Sequence, residues 1–193
     1  MAAPATAQTR EPLPWFAIDL HAASLGLPTA EGWIPDVPAT AAVPDRAWGV
    51  SGAATVYPLR LGIFTFGLGA AWSSGKGKSD VPPIVRTGVV HILPQLSMNF
   101  GHKFGWSYLS AGVGRSRVDS SADAVAATPQ IIVPAAWNQA LNFGGGARWF
   151  MRERLGAGFD VRFVKLGSRA ATAALPSARR TQMITFSAGI SIQ

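Results

Sequence analysis

The side chains that could carry chemistry in this chain are few. It holds three histidines (His21, His91 and His102), ten Asp and Glu in all, and no cysteine. Without thiols there is no cysteine nucleophile, thiolate metal site, disulfide scaffold or lipid attachment through an N-terminal cysteine. Acyl transfer or hydrolysis built on histidine needs a nucleophile beside the ring and a carboxylate to orient it. His21 follows Asp19 at a spacing of two, yet no nucleophile motif accompanies it or His91, and His102 falls in a short turn. Two histidines so far apart also lack the ligand spacing of a metal centre. The sequence therefore predicts no catalytic residue, no metal site, no cofactor and no enzymatic activity.

A spacing of two has a plainer meaning, because side chains two apart share one face of a strand. Period-two alternation runs through the chain. Ile184, Phe186, Ala188, Ile190 and Ile192 alternate with Thr185, Ser187, Gly189, Ser191 and Gln193, and Phe16, Ile18 and Leu20 alternate with Ala17, Asp19 and His21. Further strands are read at about 46–57, 59–73, 87–100, 104–117, 138–150 and 154–167, with Pro94 weakening the fourth. Connections alternate in length. Long loops fall at 25–45, 74–86, 118–137 and 168–180, and short turns at Tyr57-Pro58, Gly101-His102-Lys103 and 151–153. All long loops thus lie at one end of an up-and-down meander and all short turns at the other, the asymmetry of a membrane barrel. The expected architecture is all-β, an eight-stranded antiparallel up-and-down transmembrane β-barrel over 14–193, preceded by a tail at 1–13. In that tail Ala5-Thr6-Ala7 before Gln8 has the small-x-small form of a signal-peptidase site, so the tail is expected to hold the end of a leader.

Composition agrees with strands that meet lipid. Of 193 residues 48% are hydrophobic and only 14% charged, where a soluble domain carries about 25% charged residues. No apolar run approaches the roughly 18 to 20 residues of a spanning helix. A soluble, lipocalin-like ligand-binding barrel, the same topology turned apolar-inward, would need far more charge outside. The net charge is +7, but the cations are scattered singly, without the basic patch or motif of a nucleic-acid binder. Six tryptophans lie at strand ends, Trp15, Trp106 and Trp149 beside the short turns and Trp48, Trp72 and Trp137 beside the long loops. This is the pattern of aromatic girdles at two membrane interfaces; Trp33, in the first loop, is outside it.

The charges sort by phase. Asp19, His21, His91, Arg148, Asp160 and Arg162 are expected to point inward and form a polar network, since charges in that space must pair. Arg115, Arg117, Lys165 and Arg169 are expected outward, near the long-loop interface, where Arg and Lys suit the phosphates of lipopolysaccharide.

The stretch from Leu141-Asn142-Phe143-Gly144-Gly145-Gly146 to Phe150, followed by Leu155-Gly156-Ala157-Gly158-Phe159-Asp160-Val161-Arg162-Phe163, resembles the last hairpin of the small eight-stranded outer-membrane barrels, the family of the barrel domain of outer-membrane protein A, also called porin-like. Phe104-Gly105-Trp106-Ser107-Tyr108 through Gly114 is similar to that family's fifth strand. The resemblance implies the outer membrane of a Gram-negative-type bacterium, insertion by the barrel-assembly machinery, a monomer, and outer-membrane lipid and lipopolysaccharide as partners. Where these barrels usually end in an aromatic residue, this chain ends Ile192-Gln193. The expected role is structural or surface-interacting, with a lumen filled by side chains, as eight strands leave room for little else. The alternatives are a narrow porin-like channel for small solutes and a lipid A-modifying enzyme.

Overall fold

Eight strands form where polarity alternates, and they close into a ring. The structure is a computed structural model that describes residues 13–30, 32–34, 42–124, 129–173 and 175–193; the leader expected at 1–13 lies outside these except for Leu13. The strands are β1 (Phe16–Gly26), β2 (Arg46–Leu61), β3 (Phe64–Lys78), β4 (Val85–His102), β5 (Gly105–Ala122), β6 (Ile131–Phe150), β7 (Leu155–Leu166) and β8 (Thr181–Ile192). Each pairs antiparallel with the next, and β8 returns to β1 through pairs such as Leu20↔Ile190. Closure leaves no open sheet edge, the condition a sheet must meet where no water can satisfy its backbone.

The barrel is apolar outside and polar inside. Leu20, Leu68, Leu96, Leu109, Val113 and Leu141 are exposed on the outer wall, while His91, Asn99, Ser116 and Asn142 are fully buried in the lumen. A ligand-binding barrel of lipocalin type has the opposite phase. No helix occurs among the described residues.

The first short turn is not at Tyr57-Pro58. The chain turns at Gly62–Ile63, where Gly62 takes φ +59°, a left-handed value that favours glycine. Tyr57-Pro58 instead sits in a bulge of β2, where pairing with β3 skips from Val56 to Leu59. A bulge accommodates a proline that has no N–H to give the ladder. Pro94 needs no such device: β4 keeps one register from Ile92↔Arg115 to Gln95↔Gly112. Strands β3 to β6 also run further toward the long loops than expected, so the connections there shrink to 79–84 and 123–130. The extension of β3 at 74–78 is small and polar on both faces and carries no apolar rhythm to read, whereas that of β6 is apolar at Ile131-Ile132-Val133 and interrupted by Pro134. The hairpin that resembles a last hairpin is β6–β7; β8 follows it.

Inside the ring lie three layers. At the turn end Leu13, Ala17, Tyr57, Trp106 and Phe150 form an apolar plug, with Trp106 stacked on Phe150 at 4.9 Å and Tyr57 edge-on to it at 6.4 Å. At the loop end Leu25, Leu27, Trp33, Leu93, Val164 and Met183 are part of a second plug. Between the two lies the polar layer. The first plug corrects one expectation: Trp106 is only 3% exposed and points inward, so it belongs to no girdle. It shares the phase of Tyr108 and Ser110, both buried, whereas Phe104, two residues before it, is exposed.

Candidate functional site

The polar layer is built from strands that are not sequence neighbours. Asp19 on β1 and Arg148 on β6 meet across the lumen. Arg148 Nε donates to Asp19 Oδ1 at 2.8 Å and Nη2 to Oδ2 at 2.5 Å, a bidentate fork. Ser191 Oγ donates to the same Oδ1 at 2.7 Å. The guanidinium lies 4.2 Å over the Tyr108 ring and 5.7 Å from that of Trp106, so aromatic faces surround the pair.

A second pair sits beside it on β7. Arg162 donates from Nε and Nη2 to Asp160 Oδ1 and Oδ2 at 3.1 and 2.9 Å, and the Tyr108 hydroxyl donates to Asp160 Oδ2 at 2.7 Å. Arg162 Nη1 reaches Asn142 Oδ1 at 3.2 Å and Gln95 Oε1, tying β7 to β6 and β4. His21 Nδ1 shares a hydrogen bond with Ser187 Oγ at 3.2 Å, and His91 Nδ1 with Ser116 Oγ at 2.6 Å. A cavity of about 20 Å³ is left between Asp19, His21, Tyr108, Asp160 and Arg162, about the size of one water site. Chemically this layer is a clasp. Both oxygens of Asp19 are held by Arg148, so His21 has no free carboxylate of that residue to orient it.

The upper plug is closed by a loop residue that sequence reasoning set aside. Trp33, from the segment after β1, is 1% exposed. Its Nε1 donates to the Arg179 carbonyl at 2.7 Å, and the Arg169 guanidinium lies 5.0 Å over its ring. Arg169 Nη2 also donates to the Gly32 carbonyl at 3.1 Å, and its backbone pairs with that of Ala178. Gly32 has φ +84°, and a Cβ there would lie 1.8 Å from the Ser177 carbonyl, so this approach of two loops admits only glycine. The segments after β1 and after β7 are thereby clasped over the barrel mouth. Arg169 is thus corrected: it faces Trp33, not lipid, and burial there pushes its guanidinium below its ordinary value. The sequence signal available was a Gly-Trp pair in a loop rich in Pro and Ala.

The remaining tryptophans are outside. Trp15, Trp48, Trp72, Trp137 and Trp149 are all exposed on the outer wall. Arg115, Arg117 and Lys165 are exposed on that wall as well. Arg115 pairs in register with Gln139, and Lys165 with Leu141. This brings Arg115 and Lys165 to the walls of one groove of about 640 Å³, together with Arg180, a residue the sequence did not single out. Arg117 pairs in register with Trp137 and does not line the groove.

A closed ring of eight strands, polar within and apolar without, defines a transmembrane β-barrel. Neither a family model nor a curated protein matches the sequence. Solved structures match its fold. Neisserial surface protein A (NspA) aligns with a TM-score of 0.57 and 13% identity, over 93% of this chain and 97% of that one. The attachment invasion locus protein Ail of Yersinia pestis aligns at 0.49 and 8% identity, over 92% and 95%. The N-terminal β-barrel domain of Pseudomonas aeruginosa OprF aligns at 0.45 and 12%, over 91% and 96%. The fold is that of the small eight-stranded outer-membrane barrels.

Proposed function

We propose that this chain is an integral, monomeric barrel of the outer membrane of a Gram-negative-type bacterium, with a closed lumen and a role exercised at the cell surface and in the lipid around it. The observation that carries the reading is the series of closures along the lumen. The Trp33 clasp, the Arg148–Asp19 and Arg162–Asp160 pairs, and the Trp106–Phe150 plug follow one another from mouth to base. A solute would have to break a buried ion pair and displace two apolar layers, each costly. Contact with lipopolysaccharide through Arg115, Arg117 and Lys165 belongs to the same reading, as does delivery by the barrel-assembly machinery. The paired state of the buried carboxylates speaks against a lipid-modifying enzyme.

The test is refolding into detergent followed by planar-bilayer recording. The folded protein is expected to run at a heat-modifiable gel mobility and to give no steady single-channel openings. Steady conductance steps would overturn the closed lumen in favour of a narrow channel. A chain that stays dispersed in buffer without detergent would overturn the membrane location itself.

A further inference from the structure

The outer wall over β5, β6 and β7 is not a uniform lipid-facing surface. At the loop end is the groove walled by Arg115, Lys165 and Arg180, with Gln139 between them and Val113 and Leu141 along its lower edge. Directly below, on the same three strands, is a second hollow of about 650 Å³, lined by Leu109, Phe143, Gly145, Phe159, Val161 and Phe163. Gly145 makes this hollow: a Cβ there would meet the Leu109 side chain at 3.0 Å and the Tyr108 carbonyl at 2.5 Å. The upper groove has three cations and no carboxylate, and the lower hollow has no charge at all. They are joined along the strands, Arg115 to Val113 to Leu109 on β5, Gln139 to Leu141 to Phe143 on β6, and Lys165 to Phe163 on β7.

The charges of this groove can be compared with the ion-paired arginines of the protein. Arg148, Arg162 and Arg86 are each paired with a carboxylate. Among the described residues, no ion pair is formed by Arg115, Lys165 or Arg180, although all three surround one space. Snorkelling would carry Lys165 away from the apolar belt toward water. Its Nζ instead lies 5.4 Å over the ring of Phe143, on the side of the lower hollow. Three like charges gathered at an apolar boundary are costly until an anion joins them, and Arg and Lys side chains bind phosphate strongly.

We propose that this track is a seat for one phosphorylated lipid of the outer leaflet, its phosphomonoester held by Arg115, Lys165 and Arg180 and an acyl chain laid along the hollow beneath. The distance from Arg115 to Leu109 is six residues, about 20 Å at roughly 3.4 Å per residue, enough to follow a chain well into the membrane. This rests on the outer wall facing lipid, as the proposed function has it, and adds a third cation, a place for an acyl chain and a defined stoichiometry.

The experiment is native mass spectrometry of the full chain released from detergent, with bisphosphorylated lipid A, the same lipid dephosphorylated, and inorganic phosphate as separate probes. One lipid A is expected to stay with each barrel, with the dephosphorylated lipid and free phosphate retained far less. The variant Arg115→Gln/Lys165→Gln/Arg180→Gln should lose retention by tenfold or more, since each charged hydrogen bond is worth about 1.5–3 kcal/mol, or roughly 10- to 100-fold. Arg152→Gln, in the turn at the opposite end, should retain lipid like the parent protein. Heat-modifiable mobility confirms that every variant is folded before it is scored. Equal retention of lipid A by the triple variant, or of the dephosphorylated lipid by the parent, would overturn the seat and leave only non-specific annular contact. Free phosphate bound as well as lipid A would overturn the lipid as the occupant. Either failure in a protein that still requires detergent leaves the membrane reading intact, whereas a detergent-independent protein would remove both.

Discussion

Replacing Arg148 by Met alone is expected to lower the unfolding free energy by about 3–5 kcal/mol, the cost of stranding a buried charge. The reason lies with the partner left behind. Asp19 is 5% exposed and faces the lumen. Without Arg148 its carboxylate keeps one side-chain donor in the structure, the Ser191 hydroxyl at 2.7 Å. A carboxylate so placed has lost its water and gained no countercharge. Asp19→Asn alone should also destabilise, because it strands the guanidinium over Tyr108 and Trp106.

The informative variant is the double one. Exchanging a buried ion pair for apolar side chains of similar volume is often neutral, or stabilising by about 1–4 kcal/mol, because neither desolvation penalty remains. Asp19→Leu/Arg148→Met is therefore expected to recover most of what Arg148→Met loses. Equilibrium urea unfolding from lipid vesicles, followed by gel mobility and tryptophan fluorescence, would measure both. A single variant within about 1 kcal/mol of the parent protein, the range of an exposed pair, would show that water enters the layer and that the fork does not close the lumen.

Much of this barrel was legible because its solvent inverts the usual pattern without changing its period. In β8 the rhythm of Ile184, Phe186, Ala188 and Ile190 against Thr185, Ser187 and Gly189 is explicit, and only one face of such a strand can meet lipid. The rhythm fails where the physical demand fails. Above the membrane the outer face need not be apolar, so the upper ends of β3 to β5 read as loop, while in β6 Pro134 breaks up the apolar run from Ile131 to Trp137. Phase alone put Asp19 and Arg148 inside, but which strands meet across the ring depends on register and closure, and neither leaves a local trace. Trp106 was misplaced because position at a strand end does not say which face a side chain takes; the phase of Tyr108 and Ser110 does. Arg169 was misplaced for a related reason, since a loop has no phase and its direction is set by the contact with Trp33. Arg180 went unread because nothing marks it until β7 and β8 are aligned.

Trp33→Ala is the second large effect, and its character should differ from that of Arg148→Met. Emptying the site of a fully buried tryptophan costs about 3–5 kcal/mol where the surroundings must bear the cavity. Here the surroundings are loops, which open locally at lower cost than strands. The Arg179 carbonyl loses its indole donor and Arg169 loses the ring beneath it. Leu27 of the same segment stays in the plug, but Trp33 is the one aromatic side chain among the described residues there. The expected result is local: limited proteolysis should cut within 27–45 and 167–180 many times faster, while unfolding of the strands changes far less. Trp33→Phe separates the two contributions, since it keeps most of the packing and removes only the N–H, worth about 1 kcal/mol. Conductance should stay absent in both variants, because the Arg148–Asp19 layer and the Trp106–Phe150 plug still close the path below. An unchanged cleavage pattern in Trp33→Ala would mean that the clasp does not hold the loops. Steady openings in that variant would mean that Trp33 was the sole gate, and the layered closure would have to be abandoned.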